Sequence, residues 1–316
     1  MYRHRDLNVD ILRALGILCI IFAHISPPPL LAQIRNFDVP LMATLAGVSF
    51  VLTSSRYTSY KNYIWKRFKR LVLPAWIFLC LFFTIMAILG VSFKTKDYLF
   101  SYLLMTVGRP GIGYMWIIGI FFVISMVMPF LMELCRKLST VQWYVFLGVI
   151  LVFWELLCST LPKMSTVPAF LTYSSGYVIC AAMGLKLEKL SSSAKGMAAT
   201  VLWILFVILL FQNDFAPTQT AKYPPRIYYL SYAFASILTL MTFLERYKPS
   251  LWADCFRWLS QNSMSLYLWH LLPLKICQMF PWWKHGSHWT LRFATIFILT
   301  LLCTTIWNRV YSVIKR

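Results

Sequence analysis

Long apolar runs recur along the whole chain, and they restrict its fold more than any other feature. Hydrophobic residues make up 59% of the 316 residues and charged residues only 13%, a balance outside the range of soluble domains. A run of roughly 20 apolar residues can cross a bilayer as an α-helix, and the chain has room for about ten. We place the spans at 7–26, 38–54, 71–93, 113–134, 143–161, 169–187, 197–212, 226–244, 260–281 and 290–310. The sequence therefore predicts an all-α polytopic membrane protein of about ten transmembrane helices, with one transmembrane domain over residues 1–316.

Basic residues are concentrated in the loops on one side of the predicted membrane. The formal net charge is +20, and the segment SSRYTSYKNYIWKRFKR (54–70) holds six basic and no acidic residues. With the spans placed as above, roughly two thirds of the Lys and Arg fall on the side shared by both chain ends, as the positive-inside rule requires of the cytoplasmic side. Both termini are therefore predicted to be cytoplasmic. Because membrane topology accounts for the charge, we expect contact with membrane lipids and no nucleic-acid partner.

Eight cysteines are scattered along the chain, mostly within the apolar spans. No CxxC pair and no Cys/His ligand spacing occurs, so we expect no metal site. The cysteines are typical of small buried apolar residues.

The first span carries three ionisable residues, Asp10, Arg13 and His24. Asp10 and Arg13 are three residues apart and are neighbours on one helical face. His24 follows Arg13 by eleven residues, which places it on the same face about 16 Å further along the helix. Ionisable groups at membrane depth are costly and usually functional. Two structural alternatives remain open: an Asp10–Arg13 ion pair at the lipid headgroups, and a hydrogen bond from His24 to another helix.

The ninth span, LSQNSMSLYLWHLLPLK, carries a second polar stripe. Ser263 and His270 are seven residues apart, and Tyr267 lies between them on nearly the same face. The stripe could join two helices through interhelical hydrogen bonds or could line a site.

Several residues on the predicted outer side are equally ambiguous. In YPPRIYY (223–229), Arg226 and the tyrosines, Tyr229 among them, could face a polar acceptor or anchor the chain at the membrane interface, and Trp116 has the same two interpretations. The two prolines prevent a helix from starting before Pro225. Glu155 is isolated in the fifth span, where a buried carboxylate needs either a proton or a partner.

The cluster Lys66, Arg67, Lys69 and Arg70 is predicted to lie at the cytoplasmic face just before a helix begins. Such a cluster fixes topology and attracts anionic lipid. It also suits a phosphorylated ligand, because guanidinium groups bind phosphate in a bidentate manner.

Taken in order, these stretches resemble the integral-membrane acyltransferase-3 family, which O-acylates sugars of bacterial surface polysaccharides. The resemblance covers nearly the whole chain and rests on Arg13–x10–His24, FDVPLMATLAG (37–47), WKRFKRLVLP (65–74), GYMWIIGIFFVISMVMP (113–129), Pro224-Pro225-x3-Tyr229 and NSMSLYLWH (262–270). Two positions depart from the family pattern. Ala46 stands where the family commonly has Ser, and no acidic residue follows Trp116. These departures affect the expected acceptor more than the expected chemistry.

The resemblance implies a bacterial inner-membrane enzyme that holds no permanent cofactor. It would transfer an acyl group, by default acetyl from acetyl-CoA, to a sugar hydroxyl of a surface polysaccharide or its lipid-linked precursor. Arg67, Arg70 and Lys66, with Arg13, would hold the CoA phosphates. His24 would be the general base, with an acyl-histidine intermediate as a variant.

The resemblance also implies roles for the remaining polar residues. Asp10 would orient Arg13. The acceptor side would be lined by Trp116, Arg226, Tyr229, Tyr267 and His270.

Two other functions remain open. A transporter or flippase for a small metabolite or a lipid-linked sugar would use intramembrane charge in a similar way, and a membrane scaffold is a third alternative.

Overall fold

The computed structural model describes residues 6–54, 59–106, 112–160, 166–247, 251–284 and 288–314. Within these ranges the chain forms α-helices, two short 3-10 helices and an isolated bridge between Lys222 and Pro225. The all-α fold predicted from the sequence is therefore confirmed. The chain ends, 1–5 and 315–316, lie outside the described residues, and the cytoplasmic location of both termini stays a prediction.

The helices in chain order are α1 (Leu7–Ala23), α2 (Pro29–Ile34), α3 (Asp38–Thr53), α4 (Tyr60–Ile88), α5 (Thr95–Tyr102), α6 (Trp116–Lys137), α7 (Thr140–Thr160), α8 (Thr166–Gly184), α9 (Ser192–Gln212), α10 (Ile227–Tyr247), α11 (Ala253–Gln261), α12 (Ser263–Trp269), α13 (Leu271–Cys277), α14 (Pro281–Lys284) and α15 (Trp289–Ile314). The two 3-10 helices are Leu187–Lys189 and Thr218–Ala221.

Within the described ranges, seven helical segments are long and apolar enough to cross a membrane. They are Pro29–Thr53, Tyr60–Ile88, Trp116–Lys137, Thr140–Thr160, Ser192–Gln212, Ile227–Tyr247 and Trp289–Val313. They correspond to the second, third, fourth, fifth, seventh, eighth and tenth predicted spans. The chain is thus a multi-pass, helical membrane protein. The first, sixth and ninth spans are not among the seven, so a total of about ten stays a prediction.

The chain divides into two compact units, which we describe separately. The terminal unit comprises Met1–Met42 and Leu240–Arg316, and the central unit comprises Ala43–Thr239. In the terminal unit, α1 packs against α11, α12 and α15, and Phe22 meets the rings of Trp289 and Phe293 edge-on. In the central unit, α6 packs between α4 and α8, and α7 packs on α8.

The third predicted span begins much earlier in the structure than the sequence indicates. Helix α4 starts at Tyr60, where the hydroxyl of Ser59 caps it by accepting a hydrogen bond from the backbone N–H of Asn62 (3.2 Å). The helix then runs without interruption through Pro74. The basic cluster 66–70 therefore lies inside the helix, and the prediction that it precedes the helix is wrong. A good N-cap decided the start, which the charge pattern does not reveal.

The ninth predicted span is divided into α11, α12 and α13 instead of forming one helix. The breaks fall at Asn262 and His270, and Pro273 provides no N–H for the carbonyl four residues before it. Regular bonds nevertheless continue across the second break, from His270 N–H to the Leu266 carbonyl (3.1 Å) and from Leu274 N–H to the His270 carbonyl (3.1 Å). The polar stripe consequently keeps the helical register predicted for it.

Helices α3 and α8 of the central unit cross at two glycines. A Cβ atom on Gly47 would lie 2.0 Å from the backbone oxygen of Ala181. A Cβ atom on Gly184 would lie 2.2 Å from the backbone oxygen of Thr44. At the same crossing the Thr44 hydroxyl donates to the Cys180 carbonyl (3.1 Å). Only glycine permits this backbone contact, as at the small-residue interfaces of membrane helices.

We expect Gly47→Ala to lower the thermal unfolding midpoint of the detergent-purified protein, because the new methyl group meets a backbone atom that cannot rotate away. Overpacking of this kind costs about 1–3 kcal/mol. Gly148→Ala and Gly196→Ala are matched controls, since a Cβ atom at either position meets nothing within 4 Å. These controls should leave the midpoint unchanged or slightly raised. An unchanged midpoint for Gly47→Ala would show that the crossing tolerates separation.

Candidate functional site

Two histidines meet in the terminal unit. His24 caps the C-terminus of α1, and His270 lies between α12 and α13. Nδ1 of His24 is 2.8 Å from Nε2 of His270, and the two ring planes are parallel to within 6° with centroids 4.9 Å apart. This is the geometry of an N–H···N hydrogen bond between ring edges. Of the two open interpretations of His24, the structure shows the hydrogen bond to another helix, which does not exclude a role in catalysis.

The hydrogen bonds of His270 fix which nitrogen of each neutral ring carries the proton. Nδ1 of His270 bonds to the backbone carbonyl of Tyr267, which can only accept, so this nitrogen carries a proton. His270 is fully buried, where an uncompensated charge is costly, and we assign its ring as neutral. Its Nε2 must then accept from Nδ1–H of His24. In the neutral form of His24 the lone pair is therefore on Nε2.

A buried hydroxyl joins Asp10 and Arg13 at the other end of the α1 stripe. Ser260 in α11 donates to Oδ1 of Asp10 (2.6 Å) and accepts from Nη1 of Arg13 (3.1 Å). Arg13 and Asp10 approach each other to 3.9 Å, with side chains 22% and 2% exposed. Because Asp10 is buried and bound to a second helix, the pair differs from an exposed ion pair at the lipid headgroups.

The predicted acceptor residues of the central unit are held in a polar and aromatic framework. Arg226 forms an ion pair with Glu155, with Nε 2.7 Å from Oε1, and the backbone N–H of Ile227 donates to Oε2 (2.8 Å). The partner of Glu155, which the sequence left unnamed, is thus Arg226. Helix α10 begins directly after this pair, in agreement with the predicted non-helical entry before Pro225.

Trp116 and Tyr229 are both buried, while Tyr223 is 38% exposed. The Trp116 ring packs edge-on against Tyr223, at a centroid distance of 5.4 Å. Lys222 places its Nζ 6.0 Å from the Tyr223 ring centroid and 5.7 Å from that of Tyr229. The structure therefore groups Trp116 and Tyr229 around Lys222 and Tyr223, of which Tyr223 belongs to the YPPRIYY motif and Lys222 lies just before it.

The basic residues of α4 differ in exposure. Lys66 and Arg70 are exposed, whereas Arg67 is half-buried, with its guanidinium carbon 5.1 Å from the ring centroid of Tyr63 one turn earlier.

Among the described residues, no group of three or more His, Cys, Asp or Glu side chains is arranged to hold a metal ion.

The family model described as "Acyltransferase domain" matches residues 6–309. The chain belongs to the acyltransferase-3 family. The resemblance noted in the sequence is thereby confirmed, and with it the general activity of an acyl-transferring membrane enzyme. Searches among curated proteins and among solved structures found no match.

Within this acyltransferase, the structure joins predicted residues in pairs and adds one that sequence reasoning missed. His24 meets His270, and Asp10 meets Arg13 through Ser260. A signal for Ser260 was present: it opens the Ser-Gln-Asn-Ser run (260–263) at the start of an apolar span. The sequence gives no indication of which of these four residues faces α1, because the contact joins positions 250 residues apart.

We expect Ser260→Ala to lower the thermal unfolding midpoint of the purified acyltransferase, because it removes two hydrogen bonds to charged partners. A hydrogen bond to a charged group contributes about 1.5–3 kcal/mol. Ser260→Thr retains the hydroxyl and should lose less. Ser263→Ala, in the same polar run but half-buried, is the matched control. Equal midpoints for Ser260→Ala and Ser263→Ala would contradict a bridging role for this hydroxyl.

Proposed function

We propose that this acyltransferase transfers an acetyl group from acetyl-CoA to a sugar hydroxyl of a surface polysaccharide or its lipid-linked precursor, in the inner membrane of a bacterium. The observation that carries the proposal is the hydrogen bond between His24 and His270 (2.8 Å) in a chain of this family. Because Nδ1 of His24 is used in this bond, the basic Nε2 of His24 lies on the side of the ring away from His270. Family membership gives no support to the transporter alternative.

His24 acts as the general base. Its Nε2 takes the proton of the sugar hydroxyl while the hydroxyl oxygen attacks the thioester carbonyl carbon. The tetrahedral intermediate then breaks its C–S bond. The CoA thiolate leaves and takes the proton back from His24, so the products are the sugar ester and CoA thiol.

His270 acts on the reaction through His24. By accepting Nδ1–H it holds the His24 ring in one tautomer and one orientation, and it stabilises the imidazolium that forms during attack. The Tyr267 carbonyl anchors His270 in turn. We therefore assign His270 and Tyr267 to orienting the base in preference to lining the acceptor site.

Lys66, Arg67 and Arg70 bind the phosphates of CoA in this proposal. They supply three positive charges in the second and third turns of α4, and two of them, Lys66 and Arg70, are exposed. Guanidinium groups pair with phosphate through two parallel hydrogen bonds. Arg13, held by Ser260 and Asp10, carries a further charge in the terminal unit.

Trp116, Arg226 and Tyr229 remain the proposed acceptor-side residues. In the structure they support the segment at Tyr223, which carries the exposed ring. Contact with a sugar would therefore fall on Tyr223 and on the exposed part of Arg226, whose side chain is 39% exposed. Aromatic rings and charged hydrogen-bond donors are common partners of polar ligands in such sites.

The first test compares wild type with His24→Ala in a host that makes candidate surface glycans. Ester-linked acetyl groups on the glycans are measured by mass spectrometry at equal membrane levels of each protein. Loss of a general base lowers the rate by about a hundred- to ten-thousand-fold, so His24→Ala should give essentially no ester. His288→Ala is the matched control, because His288 is an exposed histidine bonded to Thr290. Full acetylation by His24→Ala would overturn the assignment.

The second test separates an orienting His270 from a packing residue. The amide oxygen of Gln can accept the His24 Nδ1–H as Nε2 does, whereas Ala cannot. We expect His270→Gln to retain several-fold more activity than His270→Ala, with the loss in kcat and little change in KM for acetyl-CoA. The readout is the rate of CoA thiol release by purified membranes. Equal activity of the two variants, or a loss confined to KM, would contradict the orienting role.

A further inference from the structure

A pocket of about 280 Å³ lies in the central unit, where α3 ends, α4 begins and α6 ends. Phe50 and Tyr63 are buried and close its inner end, whereas Ser59, Tyr60 and Arg136 are exposed at its opening. Arg136 is the only charged residue in the described part of the lining. The sequence places this end of the helices on the cytoplasmic side, at the level of the lipid headgroups.

Ser59 and Arg136 offer hydrogen-bond donors to a ligand in this pocket. The hydroxyls of Ser54 and Tyr60, which also line it, already donate to backbone carbonyls at 3.2 Å. The Ser59 oxygen instead accepts from a backbone N–H at the start of α4 (3.2 Å), so its own hydrogen is available. Within the described ranges Arg136 forms no ion pair, although Glu133 lies one turn before it in α6. A guanidinium and a hydroxyl in one pocket form a donor set suited to phosphate.

An exposed apolar face of α6 adjoins the pocket. Met126, Phe130 and Leu134 follow one another at intervals of four residues, so they lie on one side of the helix, and they are 40%, 61% and 38% exposed. The ring of Tyr60, a lining residue, lies 5.3 Å from that of Phe130, centroid to centroid. Because α6 is one of the helices able to cross a membrane, we expect this face to contact acyl chains. A phosphate-binding pocket and a surface for hydrocarbon are therefore neighbours.

We propose that the pocket binds the headgroup of an anionic phospholipid. The phosphate pairs with Arg136 and accepts a hydrogen bond from Ser59, and the acyl chains lie along Met126 and Phe130. The volume is just below the range of about 300–1,000 Å³ typical of ligand pockets, so the headgroup enters and the chains stay outside. Arg136 lies in the last turn of α6, and basic pockets between helices on the cytoplasmic side recognise anionic headgroups.

A soluble phosphate shares the chemistry of such a headgroup, so the experiment compares three probes. The full-length protein in a non-ionic detergent is titrated with dioctanoyl phosphatidylglycerol, and native mass spectrometry counts the bound molecules. We expect saturable binding of one lipid. Phosphatidylcholine of the same chain length should bind at least about fivefold more weakly, because its ammonium group meets the basic end of the helices. Glycerol 3-phosphate should bind at least about tenfold more weakly, because it has no chains to bury against α6.

Three variants locate the binding. Arg136→Gln should raise the Kd of phosphatidylglycerol by about tenfold, because it removes a charge-assisted hydrogen bond. Lys137→Gln, at the adjacent exposed residue outside the described lining, is the matched control and should change Kd by less than about threefold. Ser54→Phe fills the pocket with a ring and keeps Arg136, and it should weaken binding to a similar extent as Arg136→Gln.

The contrary results are equally specific. Binding of phosphatidylglycerol by both Arg136→Gln and Ser54→Phe with the wild-type Kd would overturn the proposal, as would equal affinity for phosphatidylcholine. Glycerol 3-phosphate that binds as tightly as the lipid would contradict a lipid site and assign the pocket to a soluble phosphate. None of these readouts uses acyl transfer, so the result is independent of the proposed function.

Discussion

The cost of leaving a polar group unsatisfied in apolar surroundings governs the terminal unit. Helix α1 carries three ionisable residues through a predicted membrane span, and the segment 253–277 supplies a partner at each end of that stripe. Ser260 forms hydrogen bonds with Asp10 and Arg13, and His270 forms one with His24. Since Asp10 and His270 are almost completely buried, losing one of these bonds would cost more than the bond itself contributes. The packing of α1 and the chemistry proposed for it therefore depend on the same contacts.

In the proposed mechanism the partner of the general base is a neutral histidine, and its burial accounts for its neutral form. A carboxylate in place of His270 would stabilise the developing imidazolium more strongly, but it would require a buried negative charge in the resting protein. His270 is 0% exposed and donates its second hydrogen bond within its own helix turn, to the Tyr267 carbonyl. The neutral imidazole of His270 orients His24 without the cost of burying a negative charge. The ring pair can then share the positive charge that appears only during attack.

The spacing and hydropathy of the sequence predicted the features that depend on neighbouring residues, namely the membrane spans and the residues that share a helix face. The common face of Arg13 and His24, the stripe through Tyr267 and His270, and seven of the spans all follow from spacing and hydropathy. Long-range pairings were not available to such reasoning. Glu155 and Arg226 are 71 residues apart, and nothing in either neighbourhood identifies the other. The start of α4 was missed for a different reason: a single N-cap, Ser59, outweighed a charged stretch that has the composition of a loop.

The placement of the basic cluster inside α4 has a physical consequence for ligand binding. Arg70 lies three residues after Arg67 and four after Lys66, so the like charges repel one another on one face of α4 and reduce the stability of the helix that carries them. A loop would satisfy the positive-inside rule without this cost. A bound phosphate reverses the balance, because it neutralises the repulsion between these side chains. In the proposed function the phosphates of CoA supply this neutralisation, so the bound donor would stabilise the helix that carries the cluster.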